Sequence, residues 1–559
     1  MNILGISCYY HDSAACLIKD GIVVAAVQEE RFSRKKNCSD FPLNAVNYCV
    51  HAGNISFSEI DYIAFYEKPY LKFSRVIFDH IDSFPGSYMN FIRNIPYWLQ
   101  DRLVLPLVLK REFGFTGKTV FVKHHMAHAS STFLVSPFEE AAIIIADGVG
   151  EYATTSCGYG KGNTINILKE IHYPHSLGLL YSALTNYLGF EANSGEGTTM
   201  ALASYGNPIY IDKFYKMINV KDDGSFRMDS KYFGYIKGRS MYSRQFIKLF
   251  GPPRIQGSEY DQKYRDIAAS LQFFVEETLI KIANNVYKET GSKNLCLAGG
   301  VFLNCVANQK ILERTPFEEI FIQPGAGDAG ACIGAAMNLY NCILNNQRSF
   351  VMQHAYLGPE FTNEQIKRII INRNLKYREC LEQDLIREAA ILIHNNKTVG
   401  WFQGRLEFGP RALGNRCILA NATNIDMVKI LNDRIKHREW FRPFAPIVPE
   451  ERTFEYFNMK CLSPFMLLAP KVREHSKSLL PAITHIDNTA RVQTVSKKLN
   501  PRLYNLLLEY EKISGVPVMI NTSFNLQGEP IVCTPDEAIN DFLKSEMDFL
   551  ILGNFVLRK

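Results

Sequence analysis

Three short apolar segments open the chain, and they constrain its fold more than any other feature. ILGISC (3–8), AACLIK (14–19) and IVVAAVQ (22–28) each have the length and residue types of a β-strand. The first two are separated by the turn YYHDS, and the pair Asp20-Gly21 favours a tight hairpin between the second and third. A start of strand, turn, strand, turn, strand is typical of a ribonuclease-H-like half-domain.

A second segment of this kind follows at 141–160, AAIIIADGVGEYATTSCGYG, in which an apolar strand leads into a glycine-rich loop at Asp147 and then into threonine-rich β-structure. Two further strands run into glycines, at 294–304 (NLCLAGGVFLN) and at 320–340 (IFIQPGAGDAGACIGAAMNLY). The pattern predicts a two-lobed α/β fold like that of actin and the sugar kinases. In such folds ATP lies between the lobes, and glycine turns let backbone N–H groups approach phosphates.

The character of the sequence changes near residue 350, where a new α/β stretch begins. We predict an actin-like domain at 1–350, a linker at 351–375 and a second α/β domain at 376–559. Residues 68–115, rich in aromatic and basic side chains, and residues 207–262 have the character of insertions in the first domain. Insertions are where acceptor specificity is expected.

Composition excludes several classes of protein. Of the 559 residues, 47% are apolar and 21% charged, which is typical of a folded chain. The net charge of +6 is too small to indicate nucleic-acid binding by itself. Thirteen cysteines occur singly without C-x-x-C, which argues against a disulfide framework and a zinc ribbon. The sequence lacks a signal-peptide pattern and an apolar run long enough for a membrane span, so a cytoplasmic protein is expected.

Histidines in FVKHHMAHAS (121–130) raise the question of a metal site. His124 and His128 are four residues apart, so on a helix both imidazoles lie on one face and can reach one ion. The alternative is a surface or capping cluster of histidines. Asp147 and Asp328 each follow an apolar strand among glycines, where loops of a two-lobed fold converge. Two imidazoles and two carboxylates form a mixed site suited to Fe²⁺, Mn²⁺ or Zn²⁺.

Basic residues are concentrated between 405 and 442, where GRLEFGPRALGNR and KHREWFRPFAP place them among glycine and proline. The basic residues of this span are Arg405, Arg411, Arg416, Lys429, Arg434, Lys436, Arg438 and Arg442. The planar fork of arginine suits phosphate oxygens. The alternatives are a solvated basic surface and RNA binding, and aromatic residues do not interleave regularly enough to favour RNA.

Motifs in order along the whole chain resemble one protein family. They are SCYYHDSAACL, AAVQEERFSRKKN, HHMAHA, SLGLLYSALTNYLGF, LASYG, LAGGVFLN, PGAGDAG, GPRALGNR, KHREWFRPFAP, ARVQTV and NTSFN. Together they are similar to those of the NodU/CmcH-type O-carbamoyltransferases. The resemblance implies a first domain that is actin-like and ribonuclease-H-like and a second, YrdC-like α/β domain. It also implies that the second domain makes carbamoyl adenylate from carbamoyl phosphate and ATP, and that the first passes the carbamoyl group to an alcohol.

The resemblance also implies site residues. His124, His128, Asp147 and Asp328 match metal ligands, with Fe²⁺ expected and Mn²⁺ or Zn²⁺ as alternatives, and His11 matches the base of the transfer step. ATP is expected with Mg²⁺. The expected contacts to nucleotide or carbamoyl phosphate are Lys36, Asp147, Gly148, Gly150, Glu151, Gly299, Gly300, Asn304, Arg405, Arg411, Arg438, Arg442, Arg491, Asn521 and Ser523.

One stretch departs from the family pattern. EGTTMALASYG has Thr198 and Ala201 where the family carries a lysine and then M-G-L-A. This change removes a charge contact at 198 and alters what we expect of the acceptor pocket.

Three functions are compatible with these sequence features. The first is an ATP-dependent O-carbamoyltransferase acting on a small-molecule alcohol such as an antibiotic, a toxin or a sugar. The second is a tRNA threonylcarbamoyl-transfer enzyme with a fused adenylating domain, and the third is a non-catalytic ATP-binding module. The modest charge and the 68–115 insertion favour the first. We therefore expect carbamoyl phosphate, ATP and an alcohol as partners, with no nucleic acid and no membrane, and leave a homodimer open.

Overall fold

Two units make up the structure, a computed structural model that describes residues 1–559 except 83, 85–91, 93–94, 96–97 and 236–239. Unit 1 consists of Met1–Glu29 and Asn37–Val351. Unit 2 consists of Glu30–Lys36 and Met352–Lys559.

The first sheet of unit 1 has the strand order β3-β2-β1-β4-β5. The strands are β1 (Asn2–Ser7), β2 (Ala14–Lys19), β3 (Ile22–Gln28), β4 (Tyr62–Phe65) and β5 (Lys118–Phe121). The pairs β1–β2 and β2–β3 are antiparallel, and β1–β4 and β4–β5 are parallel. Both Asp20 and Gly21 have positive φ, at 47° and 82°, as the predicted tight hairpin requires.

The second sheet of unit 1 repeats this arrangement in the order β12-β11-β6-β7-β8. Its strands are β6 (Glu140–Ala146), β7 (Ala153–Lys161), β8 (Thr164–His172), β11 (Asn294–Ala298) and β12 (Glu319–Ile322). The pairs β6–β7 and β7–β8 are antiparallel, and β6–β11 and β11–β12 are parallel. Two sheets with one strand order and one set of directions confirm the predicted actin-like, ribonuclease-H-like fold.

Helices cover both sheets, and this explains why the central strands β1 and β6 are buried along almost their whole length. The described α-helices of unit 1 are α2 (Leu43–Ala52), α3 (Pro69–Asp82), α4 (Leu105–Phe113), α5 (His124–Phe133), α6 (Leu177–Tyr187), α7 (Glu196–Ala203), α8 (Ile211–Met217), α9 (Arg244–Phe250), α10 (Gln262–Thr290), α11 (Cys305–Arg314) and α12 (Asp328–Met337). A small hairpin joins β9 (Ile218–Val220) to β10 (Phe226–Met228).

Unit 2 is built on an eight-stranded mixed sheet of order β13-β22-β21-β14-β15-β20-β16-β19. Its strands are β13 (Tyr377–Glu379), β14 (Val399–Phe402), β15 (Arg416–Asn421), β16 (Ala445–Pro449), β19 (Gln493–Val495), β20 (Met519–Ser523), β21 (Phe549–Leu552) and β22 (Phe555–Arg558), beside a small pair β17 (Phe457–Asn458) and β18 (Lys471–Val472). Its α-helices are α1 (Glu30–Ser33), α13 (Asn363–Asn372), α14 (Glu382–His394), α15 (Asp426–Ile430), α16 (Thr453–Tyr456), α17 (Glu474–Lys477), α18 (Pro501–Ser514) and α19 (Pro535–Lys544). The second part of the chain is therefore α/β, as predicted.

The structure differs from the sequence prediction at the linker and in one N-terminal segment. Residues 352–375 are grouped with unit 2, and within them α13 begins with a capping box of Thr362 and Gln365. Part of the predicted linker is thus helical, and Ile366 and Ile370 bury one face of this helix. Residues 30–36, predicted in the first domain, are also grouped with unit 2. The other domain limits stay predictions.

The two expected insertions lie between strands of unit 1. Residues 68–115 stand between β4 and β5, and residues 207–262 between β8 and β11. Parts of both, at 83, 85–91, 93–94 and 96–97 and at 236–239, fall outside the described residues. In the part of the chain that the structure describes, none of the helices combines the length and apolarity needed to span a bilayer.

Candidate active site

Four side chains from three elements of unit 1 meet at one point. His124 and His128 lie one turn apart on α5, Asp147 follows β6, and Asp328 is the first residue of α12. All four are buried, and one potential ligand atom of each lies within 4.8 Å of the others. The interpretation of the H-x-x-x-H pair as a surface cluster is therefore wrong, because its imidazoles face two buried carboxylates.

Distances between these ligand atoms match those around a metal ion. His124 Nε2 is 3.0 Å from Asp147 Oδ2 and 3.1 Å from His128 Nε2. Asp328 Oδ1 lies 3.4 Å from His128 Nε2 and 3.7 Å from His124 Nε2. Ligands at about 2.1 Å from an ion stand roughly 3.0–3.4 Å from each other in tetrahedral or octahedral geometry. The four residues therefore fit a transition metal.

The pKa values of this group show that its two carboxylates favour positive charge beside them. Burial acts to lower the pKa of His128, but hydrogen bonds to Asp147 and Asp328 raise it to about 9. Burial acts to raise the pKa of Asp147, and hydrogen bonds from His124 and His128 hold it well below its ordinary value. Without a cation, the two carboxylates keep a proton on His128. A metal ion can take the place of that proton.

His125, between the two ligand candidates, does not belong to this group. Its Nδ1 lies 2.6 Å from Ser156 Oγ, and burial followed by the charges of His124 and His128 holds its pKa well below the ordinary value. It is a neutral core histidine.

Close backbone packing holds the ligand-bearing elements together. A Cβ on Gly334 of α12 would lie 1.8 Å from the carbonyl oxygen of Ala127 on α5, so the two helices touch backbone to backbone. A Cβ on Gly150 would lie 2.9 Å from Cδ2 of His124. Both glycines are required by proximity to the helix that carries His124 and His128.

Glu151 holds the start of that helix. Its two carboxylate oxygens accept the backbone N–H of His124 at 3.0 and 3.1 Å, and one also accepts the N–H of Lys68 at 2.8 Å. A carboxylate at a helix N-terminus is favoured by the free N–H groups and the helix dipole. The predicted adenylate contact at Glu151 is thus occupied with backbone groups of its own unit.

Histidine 11 lies in the turn between β1 and β2, beside Tyr10. Its Nδ1 is 3.0 Å from Asp12 Oδ2, its ring centroid is 4.5 Å from that of Tyr10, and its side chain is 19% exposed. Burial acts to lower its pKa, but Asp328, Asp12 and Asp147 together raise it to about 10. Because the charges of both Asp328 and Asp147 act on its pKa, His11 lies close to these two carboxylates.

The predicted phosphate-binding glycines lie around Asp147 and its neighbours in this structure. The N–H of Gly300 donates to Asp147 Oδ1 at 3.2 Å, and Gly299, with φ at 102°, has no room for a Cβ beside the carbonyl oxygen of Ala146. Asn304 caps α11 through the N–H of Ala307. A Cβ on Gly148 would be 3.7 Å from the hydroxyl of Tyr10.

A second cluster, in unit 2, is strongly cationic. Burial together with Arg442 and Arg491 lowers the pKa of Arg438 well below its ordinary value. The pKa of Lys436 is also well below its ordinary value, because of burial and the charges of Arg438 and Arg442. Arg442 is 3.8 Å from Glu439. Positive groups that destabilise one another in this way form a site for an anion.

Polar groups of β20 and its following loop surround Lys436. Its Nζ donates to the carbonyl oxygen of Ser523, to Asn525 Oδ1 at 2.8 Å and to the carbonyl oxygen of Asn525 at 3.1 Å. Asn521 is buried and donates to Gln493 Oε1 at 2.7 Å. The predicted residues Arg438, Arg442, Arg491 and Ser523 are thus brought to one region.

Other predicted residues lie elsewhere. Arg405 donates to the carbonyl oxygens of Leu357 and Gly358 and lines a separate cavity of about 510 Å³. Arg416, counted among the basic residues of the sequence, is buried, donates to backbone carbonyls and stacks 3.6 Å from the Phe402 ring. Arg411 lies half-buried in the loop before β15, and Lys36 is in unit 2.

Comparison with known proteins identifies the family. The description "Carbamoyltransferase N-terminus" matches residues 2–337, and "Carbamoyltransferase C-terminus" matches residues 390–559. This chain belongs to the carbamoyltransferase family.

Curated relatives match this chain along nearly all of its length. An uncharacterized Synechocystis protein is 47% identical over 100% of this chain and 97% of its own length. Nodulation protein NolNO of Sinorhizobium fredii is 36% identical over 99% of this chain and 79% of its own. An uncharacterized protein of Methanocaldococcus jannaschii is 30% identical over the full length of both chains.

Among solved structures, the carbamoyltransferase is similar to component A of the (R)-2-hydroxyglutaryl-CoA dehydratase of Acidaminococcus fermentans, at 14% identity, 60% of this chain and 96% of that one. It is also similar to HypF of T. kodakarensis, at 15% identity, 61% of this chain and 48% of that one. Their TM-scores are 0.31 and 0.32, so the fold assignment depends on the strand order.

Sequence reasoning missed three residues of unit 2 that hydrogen-bond to loops carrying expected site residues. Lys436 was counted with the basic residues but was not predicted as a site residue. Glu407 accepts the N–H groups of Leu413, Asn415 and Arg416 on one oxygen and so shapes the loop after Arg411. Asn525 supports Ser523. Asn525 is the last residue of the NTSFN motif, so the sequence contained a signal for it. Glu407 binds backbone groups, and such a contact has no signal in the sequence.

Proposed function

We propose that this carbamoyltransferase is ATP-dependent and acts on a hydroxyl group of a small natural product such as an antibiotic, a toxin or a sugar. In unit 2, water cleaves carbamoyl phosphate to carbamate and inorganic phosphate. A carbamate oxygen then attacks the α-phosphorus of ATP, which is bound with Mg²⁺, so that carbamoyl adenylate forms and pyrophosphate leaves. Unit 1 transfers the carbamoyl group to the alcohol, and AMP leaves.

The cationic cluster of unit 2 carries this proposal. The cluster contains Lys436, Arg438, Arg442 and Arg491. Burial lowers the pKa values of the first three, and the positive charges of their neighbours in the cluster lower these pKa values further. Carbamoyl phosphate brings about two negative charges and ATP more, so their binding relieves this repulsion. A neutral acceptor or a purely structural role gives no reason to gather four cations.

His11 supplies the base of the transfer step. The alcohol oxygen attacks the carbamoyl carbon, the bond to the phosphate oxygen breaks, and the alcohol proton moves to the imidazole. General-base catalysis of this kind contributes roughly 10²–10⁴-fold. His11 can accept a proton only when neutral, so positive charge must offset Asp147 and Asp328, which now raise its pKa.

We propose that His124, His128, Asp147 and Asp328 hold a metal ion, Fe²⁺ first, with Mn²⁺ or Zn²⁺ as alternatives. Such an ion supplies Lewis-acid polarisation of a carbonyl or phosphate oxygen. The chain itself contributes the fixed ligand geometry through Glu151 and the close approach of α5 and α12.

The family descriptions concern carbamoyl transfer and give no support to the threonylcarbamoyl alternative. Acceptor choice is expected to depend on unit 1, where Thr198 and Ala201 are both buried on α7.

The test is incubation of the full-length protein with ATP, Mg²⁺, carbamoyl phosphate and a panel of hydroxylated natural products. We expect pyrophosphate release that requires carbamoyl phosphate, and a product heavier by one carbamoyl group. Pyrophosphate release with threonine and bicarbonate but not with carbamoyl phosphate would contradict the proposal.

A further inference from the structure

A short segment from the N-terminal part of the chain completes unit 2. The chain leaves unit 1 after Glu29, contributes Glu30–Lys36 to unit 2 and re-enters unit 1 at Asn37. Helix α1 covers Glu30–Ser33, and Arg34 follows with φ at 58°. Two arginines of this segment reach loops of unit 2: one loop carries Arg411, an expected phosphate contact, and the other follows Ser523, beside the cationic cluster.

Arg31 binds the loop that carries Arg411. Its side chain is 2% exposed, and one guanidinium nitrogen donates to the carbonyl oxygen of Gly409 at 2.7 Å. Another lies 2.7 Å from Glu30, which balances the buried charge. Gly409 has φ at 107°, so the backbone turns there, two residues before Arg411. A charged donor on this carbonyl fixes where the turn points.

Arg34 binds the loop that follows Ser523. Its two terminal nitrogens donate to consecutive carbonyl oxygens, Ile531 at 2.8 Å and Pro530 at 3.0 Å. Carboxylates of Glu529 and Glu537 lie 3.4 Å away. The planar fork of arginine can span two carbonyls in this way, which a lysine ammonium cannot do with the same geometry.

The loop held by Arg34 is connected to the cationic site by hydrogen bonds. The carbonyl oxygen of Glu529 accepts the side-chain amide of Asn525 at 2.7 Å, and the N–H of Val532 donates to the carbonyl oxygen of Phe524 at 2.9 Å. Oδ1 of Asn525 in turn contacts Ser523 Oγ at 2.7 Å and Lys436 Nζ at 2.8 Å. Arg34 is therefore linked to Ser523 and Lys436 through a single loop.

We propose that Arg31 and Arg34 are positioning residues of the adenylate-forming site, although they lie far from it in sequence. Arg31 sets the turn before Arg411, and Arg34 sets the loop behind Ser523. This inference rests on the proposed function of unit 2. It also means that a boundary drawn at residue 350 omits part of that site.

The test compares full-length variants at position 34. Arg34→Ala removes both carbonyl contacts, and Arg34→Lys keeps a positive charge beside Glu529 and Glu537 but loses the fork. Arg452→Ala is the matched control, because Arg452 also belongs to unit 2, is 31% exposed against 25% for Arg34, and binds two glutamates. Its hydrogen bonds go to Glu455 and Glu511 rather than to either loop.

The measurement is carbamoyl-phosphate-dependent pyrophosphate release at saturating ATP, with carbamoyl phosphate varied. We expect Arg34→Ala and Arg34→Lys to lose roughly 10- to 100-fold in kcat/KM, mainly through KM, since small misplacements of binding groups cost this much. Arg452→Ala should match the wild type. Metal content, a property of unit 1, should be equal in all four proteins.

The outcomes separate this inference from the proposed function. If the wild type shows no carbamoyl-phosphate-dependent release, the proposed function itself fails. If the wild type is active and Arg34→Lys equals Arg452→Ala, the positioning role is overturned. Should Arg34→Ala not fold, Arg34→Lys still decides, because it retains the ion pairs that stabilise the segment.

Discussion

Charge balance governs the behaviour of single residues in unit 1. Asp147 and Asp328 are buried beside two imidazoles, and Nδ1 of both His124 and His128 is buried without a hydrogen-bond partner among the described residues. A buried carboxylate pair is costly unless protons or a cation compensate it. The Nε2 atoms face the carboxylates, as ligation of a shared ion requires.

Removing one ligand should remove the metal. His124→Ala and Asp328→Ala should each lose metal affinity by more than the roughly 10- to 100-fold that partners outside the ligand shell contribute. Metal content of the purified variants, measured by elemental analysis, checks this. His172→Ala is the control, because His172 is an exposed histidine of the same unit and should leave metal content unchanged. Full occupancy in both ligand variants would contradict the site.

The convergence of these four residues was predictable from the sequence, because helical spacing and strand ends are visible there. His124 and His128 are one turn apart, and Asp147 and Asp328 follow apolar strands. The partners of Arg416 and Glu151 were not predictable. Both bind backbone groups, and backbone groups carry no side-chain signature in a sequence.

Close approach of two helices is the decisive feature at the scale of elements. Helix α12 brings Asp328 to the histidines of α5. This is possible because Gly334 has no side chain, so its backbone can pack directly against the carbonyl group of Ala127. Small residues at such contacts let backbones approach, and any added atom must displace a helix.

Gly334→Ala should therefore destabilise unit 1 by roughly 1–3 kcal/mol or more, since its Cβ would overlap the Ala127 carbonyl. Gly197→Ala is the matched control, because Gly197 is on α7 and a Cβ there meets nothing within 4 Å. That variant should gain up to about 1 kcal/mol from helix propensity. Calorimetric melting temperatures should move in opposite directions, and equal shifts would refute the packing argument.

Helix α19 carries a carboxyl group that makes the stability of unit 2 depend on pH. Burial and the neighbouring Glu529 raise the pKa of Asp541 from 3.8 to about 7, while Arg34 acts to lower it. Between pH 3.8 and about pH 7, the unfolded chain therefore binds fewer protons at Asp541 than the folded chain does. The free energy of unfolding therefore falls as pH rises from about 4 to about 7.

Asp541→Asn should remove this fall. The measured quantity is the melting temperature of the wild type minus that of the variant. This difference should decline between pH 5 and pH 7.5 and level off above that range. Scanning calorimetry at several pH values measures it. Parallel pH curves for the two proteins would show that Asp541 is already ionised in the folded state.

At the scale of the whole molecule, the repeated strand order of unit 1 was largely predictable. The segments at 3–28, 141–160, 294–304 and 320–340 fell on strands and turns in the expected order. The grouping of residues 30–36 with unit 2 was not predictable. It depends on hydrogen bonds from Arg31 and Arg34 to carbonyl oxygens about 380 to 500 residues further along the chain. Local sequence patterns do not report contacts over such distances.

The central claim is a division of labour, with the adenylate made in unit 2 and the carbamoyl group transferred in unit 1. Addition of synthetic carbamoyl adenylate to Arg438→Ala and His11→Ala tests it most directly. Arg438→Ala lacks the reagent, so added adenylate should restore carbamoylation of an acceptor. His11→Ala should still release pyrophosphate from ATP with carbamoyl phosphate, but should stay at least about 10²-fold below the wild type with added adenylate. An equal response of the two variants would contradict the division.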